Sequence, residues 1–129
     1  MIGIPVIALE NCIIHAGREF KADKRRTMKE ILKATIFVRP DYAIVNDGVK
    51  EPDFIHEAQV VNPNTKGRNI RYRPAFKEGW TARFQIDIDD PEVVPAERLK
   101  EILEFAGRRV GVGDWRPRYG RFLVAEFKF

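Results

Sequence analysis

The sequence predicts one α+β domain in which two helices pack on one face of an antiparallel sheet. Three observations carry this. Residues 80–89 alternate strictly, with Trp80, Ala82, Phe84, Ile86 and Ile88 on one face and Thr81, Arg83, Gln85, Asp87 and Asp89 on the other. Behind Pro95, the residues Leu99, Ile102, Leu103, Ala106 and Val110 recur at helical spacing. Residues 122–129 alternate again, with Leu123, Ala125, Phe127 and Phe129 sharing a face. A chain of 129 residues suits one ordinary domain, and no repeat or low-complexity stretch marks a boundary within 1–129.

The first half follows the same logic. Leu9, Cys12, Ile13, Ala16 and Phe20 line one face of a helix expected over 8–20. Thr27 followed by Glu30 is a capping-box pattern opening a second helical piece over 27–33. Thr35 to Val38 reads as a strand that Arg39-Pro40 ends. Tyr42 to Val45 is another short apolar run, and Asn46-Asp47-Gly48 is turn chemistry. Residues 59–62 and 69–73 flank Pro63-Asn64-Thr65-Lys66-Gly67 as a hairpin with a polar tip. Glu97 and Glu101 early and Arg108 and Arg109 late in the last helix suit its dipole.

Composition excludes much chemistry. There is no serine, so serine nucleophiles are absent. One cysteine, Cys12, excludes an internal disulfide and fits a reducing compartment. With His15 and His56 as the two histidines, no structural zinc site of the usual kinds can be built. No P-loop motif is present, and no cofactor is expected. No run approaches the roughly 20 apolar residues of a membrane span, so no membrane partner is expected. The N-terminus lacks a basic start and a cleavage site, and the expected location is cytoplasmic.

Charge directs attention to partners. Lys and Arg total 23 against 19 Asp and Glu, a net +4, and the two signs segregate along the chain. Basic residues gather at Arg18, Lys21, Lys24, Arg25, Arg26, Lys29 and Lys33, at Lys66, Arg68, Arg71 and Arg73, and over 108–121; acids gather over 87–104. The loop over 111–121 combines three kinds of group. Gly111, Gly113 and Gly120 permit positive φ and close backbone approach. Arg116, Arg118 and Arg121 can grip phosphates bidentately. Trp115 and Tyr119 offer flat faces to unpaired bases. Together they suit single-strand binding without sequence preference; the alternative is a solvated helix-to-strand connection whose aromatics plug the core edge. Lys21, Lys24, Arg25 and Arg26 form the second candidate, a mobile arm that neutralises phosphates or else a solvated linker. Lys66, Arg68, Arg71 and Arg73 on the hairpin carry the same two readings, with Arg71 and Arg73 expected on one face.

A helix followed by Gly111-Val112-Gly113, a basic insert, Gly120-Arg121-Phe122 and a closing strand resembles the glycine-rich loop of the RAMP superfamily. These are the RNA-recognition-motif-like proteins of CRISPR effector complexes. Ile4-Pro5-Val6-Ile7-Ala8-Leu9-Glu10-Asn11 resembles the Ile-Pro-Gly-Ser-Ser-Leu-Lys-Gly segment that opens the first helix of their backbone subunits, with Val6-Ile7-Ala8 in place of Gly-Ser-Ser. The stretch from Gly113 to Phe122 also resembles the ending of uncharacterised bacteriophage proteins. The matches cover about a fifth of the chain. The resemblance implies a ferredoxin-like or RRM-like fold, RNA in preference to single-stranded DNA, and copies assembled side by side along the strand. It implies a bacterial host cell if the chain is phage-encoded. The family's first strand would precede Ile4, where three residues stand. Either the sheet lacks it, a partner chain supplies it, or the chain is a piece of a longer protein.

Two other readings belong to different classes. In one, the chain is a phage structural protein or complex subunit whose strand edges and charged faces mediate self-association or contact with another subunit. In the other, His15 serves an endoribonuclease as general base. Cys12 and His15 stand three apart on the same helix, but Cys12 falls on its apolar face, which favours burial over a thiolate role. Asp87, Asp89, Asp90 and Glu92 could meet a divalent ion, but read more simply as a polar strand face and helix N-terminal charge. No catalytic or metal-ligating residue is therefore assigned.

Overall fold

The computed structural model describes residues 2–46, 48, 50–61, 64, 68–113, 116 and 120–128. In chain order the elements are β1 (Gly3–Pro5), α1 (Val6–Ala16), α2 (Met28–Thr35), β2 (Ile36–Arg39), β3 (Tyr42–Ile44), β4 (Phe54–Val61), β5 (Arg68–Ala75), β6 (Gln85–Ile88) and α3 (Ala96–Phe105). A 3-10 turn, Gly17–Glu19, extends α1, and a π turn, Ala106–Val110, extends α3. The class is α+β, as the sequence predicts. Among the described residues the strands pair two by two, β1 with β3, β2 with β6 and β4 with β5, and these pairs do not by themselves make a ferredoxin-like sheet.

The chain divides into two compact units, Met1–Gly3 with Ile44–Arg83, and Ile4–Ala43 with Phe84–Phe129. In the first, β4 and β5 form a hairpin of eight antiparallel pairs from Phe54↔Ala75 to Val61↔Arg68. It is longer at both strands than the turn chemistry alone indicated. The Asp53 carboxylate accepts the Lys77 amide at 2.8 Å near its base. Asn46 sits at φ +49, where its side-chain oxygen accepts the Thr81 amide at 2.8 Å. Asparagine tolerates that left-handed conformation better than most residues.

The second unit holds three helices around one apolar core. Leu9, Cys12, Ile13 and Ala16 of α1, Met28 and Leu32 of α2, and Leu99, Ile102 and Leu103 of α3 are buried. Their three- and four-residue spacing aims each helix inward. Ile36 and Val38 of β2 complete that core, while Phe37 and Arg39 on the opposite face are exposed. Thr27 begins α2 from extended backbone, but its side chain makes no capping bond, so the expected capping box does not form. The Met28 amide instead donates to the Phe20 carbonyl at 2.7 Å.

Two strands differ from expectation. The run over 80–89 is strand only at Gln85–Ile88, opposite Ile36 to Arg39 of β2, with an isolated bridge from Ala82 to Val45. Helix α2 occupies the chain before Ile36, and Pro40 follows Arg39. Residues 121–128 belong to no strand, since alternation supplies a face but not a neighbouring edge to bond.

Candidate nucleic-acid interface

The glycine- and arginine-rich loop is built at the end of α3. After the π turn the Gly111 amide donates to the Ala106 carbonyl at 2.8 Å, and φ +76 at Gly111 turns the chain out of the helix. The Val112 amide then donates to the Gly120 carbonyl at 3.0 Å, and the Phe122 amide to the Gly107 carbonyl at 3.0 Å. These two bonds form a neck that joins the chain at 107 and 112 to the chain at 120 and 122. The neck admits no side chain at two positions. A Cβ on Gly120, which lies at φ +83, would collide with the Val112 carbonyl, and one on Gly107 with the Phe122 carbonyl. Gly113, at φ +90, faces open space. Val112 itself is buried in the core.

Arg116 and Arg121 are exposed on this loop, as are Arg108 and Arg109 on the π turn. None of the four forms an ion pair among the described residues. Trp115, Arg118 and Tyr119 lie outside the described residues. Sequence reasoning read Arg108 and Arg109 as helix-dipole partners and as the start of the basic run over 108–121, but did not count them among the site residues. It also missed Gly107, whose signal was a glycine inside an apolar helical stripe, the mark of a close backbone approach.

The segment holding Lys21, Lys24, Arg25 and Arg26 is a closed turn and not an arm. Asp23 organises it: one carboxylate oxygen accepts the amides of Arg25 and Arg26, each at 2.8 Å, and the other meets Arg26 Nε at 2.8 Å. The Ala22 amide donates to the Arg26 carbonyl at 3.0 Å, and Lys21 bridges Thr27. The amide of Arg25, then the side chain and amide of Arg26, hold the Asp23 carboxyl below the usual carboxylate range. Lys21, Lys24 and Arg25 are exposed, and Lys24 and Arg25 line an open concavity together with Asp23 and Arg26.

Helix α3 carries both basic groups. Arg98 Nη2 donates to the Lys21 carbonyl at 3.3 Å, and its guanidinium lies over the Phe20 ring at 5.0 Å. Phe20 in turn meets Phe105 edge-on at 5.7 Å. The turn therefore docks along α3, while the glycine loop leaves its far end, roughly 15 Å of helix further on.

The alternative chemistries fare differently. Cys12 is 1% exposed, and its thiol donates to the Ala106 carbonyl at 3.9 Å. Burial pushes that thiol up to about 11, with the Arg116 charge opposing the rise. His15 is exposed, and no hydrogen bond or ion pair engages its imidazole among the described residues. The Cys12 and His15 side chains thus face core and solvent, and no thiolate pair forms. Asp87 is held by Arg39 and by Gln85 Nε2, and Asp90 accepts the Glu92 amide. Among the described residues no group of three or more His, Cys, Asp or Glu could hold a metal ion, and no helix is long and apolar enough to cross a membrane.

Comparison with protein-family models, with curated proteins and with solved structures finds no match to this chain.

Proposed function

We propose that the chain is a nucleic-acid-binding protein, similar in character to the RAMP superfamily, that grips the backbone of a single strand with the loop over 111–121. RNA is the favoured ligand. The observation that carries this reading is the glycine neck together with Arg116 and Arg121, which are exposed and form no ion pair among the described residues. Exposed guanidinium groups that no carboxylate engages can meet phosphates bidentately without first breaking an ion pair. Lys21, Lys24, Arg25 and Arg26 add a second point of contact along α3, so a strand following that helix meets positive charge at both ends. Gly111, Gly113 and Gly120 let the backbone come close, and Trp115 and Tyr119 supply stacking faces.

Fluorescence anisotropy of labelled single-stranded RNA and DNA tests the reading, with wild type against an Arg116→Ala/Arg118→Ala/Arg121→Ala variant. The expected result is binding that weakens about tenfold or more in the variant, with RNA held more tightly than DNA. No binding by folded wild type at low salt overturns it.

A further inference from the structure

Strands β2 and β6 treat their outer edges differently. The pairing Ile36↔Ile88 and Val38↔Ile86 is antiparallel, and the Asp89 amide donates to the Thr35 carbonyl at 2.8 Å. Ladder bonds therefore fall at 35/89, 37/87 and 39/85, and the amides of Ile36, Val38, Ile86 and Ile88 face away from the partner strand. On β2 both outward amides are satisfied within the chain. Ile36 donates to the Leu32 carbonyl, and Val38 to the Glu10 carboxylate at 2.9 Å. On β6, no hydrogen bond reaches the outward amides of Ile86 and Ile88 among the described residues. Their side chains stay half-buried although they share a face with buried Ile36 and Val38. An edge strand with no outer neighbour leaves its apolar residues in this state.

The same unit holds a segment with the opposite deficit. Residues 121–126 read Arg-Phe-Leu-Val-Ala-Glu, rich in strand formers, yet they belong to no strand. Leu123 is 83% exposed, while Phe122 and Val124 are half-buried. We propose that the outer edge of β6 is completed by residues 121–126 of a second copy of this chain, in a reciprocal strand exchange. Two features choose this occupant. Pairing of β6 with another β6 would bring the acidic run over 87–90 against itself, whereas the exchanged segment, with Arg121 at one end and Glu126 at the other, adds no net negative charge. An added strand would also bond the amides of Ile86 and Ile88 and cover Leu123, meeting both deficits at once.

Light scattering coupled to size-exclusion chromatography reads the outcome, with the full chain and two variants. Ile86→Pro removes an outward amide without touching a ladder bond to β2, and Leu123→Glu charges the exchanged segment at an exposed position. Wild type is expected at about twice the 15.0 kDa of one chain, and each variant alone at one chain's mass. An equimolar mixture of the two variants is expected to recover a two-chain species, because one retains the segment and the other the edge. If Ile86→Pro does not fold, loss of association in Leu123→Glu with unchanged circular dichroism carries the test. A monomeric wild type overturns the proposal, whether β6 is then covered by the chain's own segment or by another protein. So does a dimer that survives Leu123→Glu.

Discussion

The Val38 amide donates to the Glu10 carboxylate at 2.9 Å, so a side chain on α1 closes the outer edge of β2 as a neighbouring strand would. Glu10 is half-buried there, and Val38 lies in the core. Glu10→Ala leaves a shielded amide without a partner and is expected to cost about 1–3 kcal/mol of stability. Glu10→Gln keeps an acceptor oxygen and is expected to recover most of that loss. Urea unfolding of the three proteins measures the difference.

The loop neck predicts an order among glycine substitutions. Gly113→Ala meets open space and bears only the cost of positive φ, about 1 kcal/mol. Gly120→Ala bears that cost and a collision with the Val112 carbonyl, and is expected to lose more stability and to weaken nucleic-acid binding as the loop opens. Thermal melting and anisotropy of the two variants check the order; equal effects would mean that the neck is not closed.

Cys12 ties alkaline stability to burial. Its thiol is raised from the ordinary 9.0 to about 11, so between these values the unfolded chain has released a proton that the folded chain retains. Stability from this group is full below pH 9 and falls as pH rises toward 11. Cys12→Ala removes this component of the alkaline decline. A thiol reagent is expected to label Cys12 only as fast as the unit opens, a rate that urea accelerates.

Asp23 sets an acid dependence for the basic turn. Its carboxyl is held down in the folded chain by the Arg25 amide and by Arg26. The turn is therefore stabilised above the ordinary carboxylate range and loses that support as pH falls through the lowered value. The amide resonances of Arg25 and Arg26 are expected to move together with that titration, and Asp23→Asn to abolish the movement.

Much of the helical part was legible because its signal is local. Leu99, Ile102, Leu103 and Ala106 repeat with the helix and are buried as the repeat requires. The hairpin was legible from the turn residues between its strands. What was not legible depends on partners distant in the chain. The alternation from Trp80 to Asp89 is real, but the four residues of β2 decide how much becomes strand. The basic segment reads as a charge run, while one acid within it, Asp23, collects the amides of Arg25 and Arg26 and folds it into a turn. The glycines over 111–120 were legible as a turn out of the last helix; that Gly107 and Gly120 close its neck required the carbonyls of Phe122 and Val112.

The salt dependence of RNA binding tests the central claim most directly. Three arginines on single-strand phosphates contribute about 2 to the slope of log affinity against log salt concentration. Wild type is therefore expected to bind single-stranded RNA with a steep slope, and Arg116→Ala/Arg118→Ala/Arg121→Ala with a slope shallower by about 2 and lower affinity at every salt concentration. Identical slopes for the two folded proteins, or no binding by wild type at the lowest salt, would contradict the account.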